Sequence, residues 1–140
     1  MPPDKIGLIL DGDVLYHQGQ CQGIYLLANN VSVNNQVYWY QQDGNWGIWF
    51  GQSWIGWIVG PITYLGQDSG NIIGPYGQGI KWPTEISNGY RYWNTTSWVF
   101  ASSNDLEFLQ CKYKSHNTPR GNTAFIMNHI KNSFSFNYLP

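Results

Sequence analysis

Carboxylates, histidines and thiols that could do chemistry are few in this chain, while aromatic rings are abundant. Asp105 and Glu107, two residues apart, share one face of a strand and are the best local carboxylate pair. Glycoside hydrolysis needs two such groups roughly 5–10 Å apart across a cleft. These two sit instead in a run that closes on Cys111. Asp11 and Asp13 have the spacing that opens a calcium loop, but the later oxygen ligands are missing, so the pair reads as turn chemistry around Gly12. His17, His116 and His129 are scattered. There is no Gly-x-Ser-x-Gly elbow and no Cys/His spacing for zinc or for a thiol nucleophile. Gly74, Gly77 and Gly79 lack the Lys-Ser/Thr ending of a phosphate loop. The expectation is a chain with no catalytic residue, no metal and no cofactor.

The rings are the better chemical lead. Eight Trp, ten Tyr and six Phe make up 17 % of the chain, against 11 % charged residues, well below the roughly 25 % charge of ordinary soluble domains. Most rings must be core, since burying one stabilises by about 2–3 kcal/mol. A single core of this size does not need them all, so some face solvent and mark a binding surface. Flat rings beside amides suit sugars: C–H faces stack on the ring while Asn and Gln bond hydroxyls. The Gly/Pro-rich stretch 74–89 offers Tyr76 and Trp82, with Gln78 and Asn88 as polar partners, and Trp46 lies beside a turn. These five are the expected ligand contacts. A carbohydrate-binding or adhesion module is the first reading, and a protein-binding or structural module of a larger extracellular assembly, with homo-oligomerisation open, is the second. The formal net charge of −1 argues against nucleic acid bound through bulk electrostatics. The acids all lie in residues 1–110, while Lys112, Lys114, Arg120 and Lys131 fall after them.

Strands must position these rings. Residues 36–65 hold Trp39, Trp46, Trp49, Trp54 and Trp57, and the pattern alternates: Trp39 and Gln41 face away from Tyr40, and Ile48 and Phe50 face away from Trp49. Asp43-Gly44 reads as a two-residue hairpin turn, and Gly51-Gln52 as a second break before a third strand carrying Trp57 and Val59. Residues 62–65 read as a further strand. A second aromatic hairpin spans 90–101, rising through Tyr90, Tyr92 and Trp93 and falling from Trp98 to Ala101. Residues 23–28 and 105–111 are strands by composition and alternation. Residues 4–20 read as strand, turn at Asp11-Gly12-Asp13, and strand. Asn122-Thr123 can cap a short C-terminal helix, and the last residues alternate as an edge strand would. The sum is one domain over 1–140: a hairpin at 4–20, an aromatic body at 21–111 and an extension at 112–140. Its expected class is all-β, an antiparallel sandwich or small barrel of about eight to ten strands.

Cys21 and Cys111 bracket the body. Paired, they close a loop of about 90 residues, worth about 4–5 kcal/mol in the chain-entropy model; unpaired, they are two buried thiols. Sequons at Asn30 and Asn94 fit glycosylation in an extracellular or lumenal setting. The N-terminal residues do not have the pattern of a secretory signal, and no apolar run is long enough to span a bilayer.

Cys21-x-Gly23-x-Tyr25, Asn35-x-Val37-Tyr38, residues 54–60 (WIGWIVG) and Tyr92-Trp93 with Trp98 and Cys111 together resemble a small two-cysteine Tyr/Trp module of predicted secreted proteins in protists, algae and marine invertebrates. The likeness covers 21–111. It implies a compact, non-enzymatic β module with Cys21 and Cys111 disulfide-bonded. The chain departs from the pattern at Asn34-Asn35-Gln36-Val37, where the module has Asn-Gly-Arg-Pro.

Overall fold

The computed structural model describes residues 1–78 and 81–111. They form nine antiparallel strands in one sheet: β1 (Lys5–Leu10), β2 (Gly23–Leu27), β3 (Trp39–Gln41), β4 (Trp46–Phe50), β5 (Trp57–Pro61), β6 (Ile72–Ile73), β7 (Arg91–Trp93), β8 (Trp98–Phe100) and β9 (Leu106–Cys111). The spatial order is β8-β7-β6-β5-β4-β3-β2-β1-β9, a meander whose last strand returns to lie beside the first. The all-β antiparallel expectation holds, and a single curled sheet makes it barrel-like.

Period-two alternation builds the inner face. One row of paired residues crosses seven strands: Leu27, Trp39, Ile48, Val59, Ile72, Tyr92 and Val99. All belong to, or pack on, the same core. β9 adds Phe108 opposite Leu8 and Leu106 opposite Leu10. The sheet curls far enough that Tyr90, just before β7, meets Phe108 on β9 with ring centroids 4.9 Å apart. No ladder joins β8 to β9 among the described residues. The gap is filled by the segment before β7, whose turn Pro83–Glu85 packs against β9 and whose Ile86 is buried in the core. Trp82 from this segment lies 6.3 Å from Trp39 and 6.2 Å from Trp57. Three indoles thus fill the centre.

Four local expectations change. Residues 4–20 are not a hairpin: after β1 comes a helix, α1 (Gly12–Gln18). Asp11 caps it, its carboxylate accepting from the Gly12 N–H at 2.7 Å, and Val14, Leu15 and Gln18 form a helical face turned to the core. Between β3 and β4 the register is that of the expected hairpin, but the ladder ends before Gln42 and Asn45 pair. The turn opens to residues 42–45, with neither Asp43 nor Gly44 at positive φ, so the two-residue type is absent. Residues Ile62–Tyr64 form a 3-10 turn in place of a strand. The 90–101 hairpin stands as expected, with Trp93 opposite Trp98. The expected C-terminal helix and edge strand, with His116 and His129, lie outside the described residues.

The fourth change is the disulfide. Cys21 and Cys111 are free thiols. Cys111 pairs with Lys5 at the start of β1, whereas Cys21 precedes Gly23, which pairs with Leu8 near the end of it. That separates them by about five strand positions, roughly 17 Å, where a disulfide needs Cα atoms within about 7 Å. The Cys21 thiol instead donates to the Gln18 carbonyl at 3.0 Å, and burial pushes its pKa far up. Cysteine labelling without reductant should therefore modify Cys111 in the native protein and Cys21 only on unfolding; a cross-linked Cys21–Cys111 peptide in a digest would refute this. Trp39 is fully buried, so Trp39→Ala should lower stability by about 3–5 kcal/mol, read from denaturant melts.

Candidate functional site

The outer face of the sheet carries its own row: Trp49, Ile58, Ile73, Arg91 and Phe100. Its first two members are buried because the loop before β6 lies flush on them. A Cβ on Gly70 would come within 2.8 Å of the Val59 carbonyl, and one on Gly60 within 2.9 Å of the Gly70 Cα. Only glycine allows that approach. Beyond the loop the face opens into a cleft of about 590 Å³, within the usual size of ligand sites. Ile58 and Ile73 form its floor. Ser53 and Trp54, Asp68 and Ser69, and Arg91 and Trp98 form its sides.

Two loops are tied together at the rim. Asp68 accepts from the Gln52 N–H through Oδ1 at 2.7 Å and from the Ser53 N–H through Oδ2 at 2.8 Å. Partial desolvation pushes its carboxyl pKa up, but the bonds from Ser53, Gln52 and Trp54 outweigh this and hold it below the ordinary value. Trp54 is oriented by its indole N–H, which donates to the Gly74 carbonyl at 3.2 Å. On the far side Arg91 lies over the Phe100 ring, 4.3 Å from its centroid, and Trp98 packs edge-on against Trp93 at 5.5 Å. The cleft therefore combines two indoles, a guanidinium, an ionised carboxylate and two hydroxyls. It can stack an aliphatic ring face and bond several oxygens.

The five expected contacts do not converge. Tyr76 is 59 % exposed and touches Trp54 edge-on at 5.5 Å, which places it beside the cleft. Gln78 is half-buried and Asn88 exposed; neither lines the cleft. Trp82 packs on the core and flanks a separate groove with Gln36, Lys81 and Glu85. Trp46 is also held against the core and borders a third groove with His17, Gln20 and Asn71. Asn30 is exposed in a turn at positive φ. The Asn94 carboxamide oxygen accepts from the Thr96 and Ser97 amides and the Thr96 hydroxyl, shaping the β7–β8 turn. Arg91, Trp98, Trp54 and Asp68 were not singled out by sequence. A signal existed for two of them. Alternation places Arg91 opposite in facing to the core residues Tyr90 and Tyr92, and hairpin pairing then sets Trp98 and Phe100 on the same outer face.

Asp13 has a structural role. The Tyr92 hydroxyl donates to Asp13, clasping α1 to β7, with the His17 ring stacked 6.2 Å away. Desolvation first, then the Asp13 bond and the charges of Asp13 and Asp105, push the Tyr92 pKa up to about 12, so the phenol stays a donor. Asp105 abuts Gly12, while Glu107 is exposed and lines the groove beside the 84–87 loop, which Asp105 does not reach. Among the described residues no group of three or more His, Cys, Asp or Glu could hold a metal ion, and no helix is long and apolar enough to cross a membrane.

Because folding lowers the Asp68 pKa, its contribution is present above the unfolded value of about 3.9 and lost as pH falls through the folded value. Solvent screening at this exposed site limits it to less than about 1 kcal/mol. Urea melts from pH 6 to pH 2 should show an acid-dependent loss that Asp68→Asn lacks. No family model, curated protein or solved structure matches this chain.

Proposed function

We propose that this chain is a non-catalytic carbohydrate-binding module whose ligand occupies the outer-face cleft. The observation that carries the reading is the pairing of Trp54 and Trp98 with Arg91, Asp68 and two serines around one open space. An indole offers a flat apolar platform to sugar C–H groups, and the polar atoms around it replace the water that hydroxyls lose. Tyr76, edge-on against Trp54, adds apolar surface beside the platform. A non-enzymatic module is also what the resemblance of residues 21–111 implies.

One observation favours the alternative, a protein-binding or structural module. Phe100 is 64 % exposed and Trp98 39 % exposed on β8, the strand at one end of the sheet order. An apolar terminal strand can receive a partner strand.

A glycan array separates the two. Trp98 sits at the rim and outside the core, so Trp98→Ala should leave the fold intact while abolishing specific glycan signals, a loss of at least about ten-fold in affinity for the best binder. Silence across the array together with a stable homo-oligomer in solution would support the protein-binding reading instead.

A further inference from the structure

Among the described residues the cleft is lined by one cationic side chain, Arg91. Among the described residues no carboxylate pairs with it, the only close acid–base contact being that of His17 with Asp13. Asp68 lines the same cleft, yet each of its oxygens already takes a backbone N–H from the 52–53 loop. The Arg91 Cζ lies over the Phe100 ring, 4.3 Å from its centroid, on the strand position directly opposite. This cation–π contact uses none of the guanidinium N–H groups as hydrogen-bond donors to a carboxylate and leaves them for an anion. It also restrains the side chain, so less freedom is lost when a planar anion binds.

Resting on the carbohydrate reading, we propose that the cleft selects a carboxylated saccharide, with a uronate carboxylate bound by Arg91 and the sugar ring lying against Trp98. A carboxylate matches the guanidinium fork in bidentate geometry. Asp68 keeps lone pairs for ligand hydroxyls and sets a negative charge on the opposite side, so the cleft takes one carboxylate in one orientation.

The test is calorimetry with matched oligosaccharides ending in glucuronate, in its methyl ester, in glucose, and in a sulfated glucose. Wild type should bind the glucuronate end about ten-fold or more tighter than the glucose end, the scale of a charge-assisted hydrogen-bonded pair. The methyl ester should fall to the glucose level, a result that needs no variant. Arg91→Gln should erase the preference, so that the variant binds its glucuronate and glucose ends equally, and Arg91→Lys should retain only part of it, with thermal melts confirming the fold of each. Equal affinity for glucuronate and glucose ends, a preference that survives esterification or Arg91→Gln, or equally tight binding of the sulfated end would each overturn carboxylate recognition while leaving a sugar-binding cleft. Failure of all four saccharides to bind would overturn the carbohydrate reading itself, and the inference with it.

Discussion

A buried indole has one polar hydrogen and must find an acceptor for it inside the protein. In this chain that requirement ties the loops to the sheet. Trp39 donates to the Pro3 carbonyl at 2.8 Å, Trp57 to Lys81 at 2.8 Å, Trp49 to Gln67 at 2.9 Å and Trp54 to Gly74 at 3.2 Å. Each acceptor lies in irregular chain outside the strands. The rings supply apolar area on one side and a fixed anchor point on the other. The N-terminal residues, the loop before β6 and the segment before β7 are all located this way. A Phe in any of these positions would fill much of the same space and leave a loop carbonyl without its partner.

The two faces of the sheet solve different problems. Inside, a row of residues from Leu27 to Val99 runs across seven strands, and Trp82 and Ile86 complete the core where the sheet does not close by hydrogen bonds. Outside, Trp49 and Ile58 are covered by a glycine-bearing loop rather than by a second sheet. The cleft exists because that cover stops at Gly70. Past it, the same outer row continues through Ile73 to Arg91 and Phe100, and these side chains meet solvent.

This geometry explains why the five residues expected as contacts are dispersed and not gathered around one cleft. Trp82 and Tyr76 stand close together in the same loop-like stretch, and nothing local distinguishes them. Trp82 turns inward because the gap beside Trp39 and Trp57 has to be filled; Tyr76 turns outward against Trp54. Trp46 belongs to the inner-facing set of β4 by parity with Ile48, a fact visible in the alternation once the strand is placed. Asp68 gave no sequence signal, because its partners at Gln52 and Ser53 are brought to it only when two loops meet at the rim.

By itself the sequence determined the antiparallel β class, the facing of residues within β3, β4, β5 and β9, the second aromatic hairpin and the loop-like character of 74–89. These depend on period-two alternation and turn chemistry, which act over a few residues. Tertiary structure alone decided that the helix at residues 12–18 packs on the core, that β9 lies beside β1, and that Cys21 and Cys111 sit at opposite ends of that strand. It also decided where the cleft opens. Each of these depends on which distant segments share space, and local pattern carries no information about that.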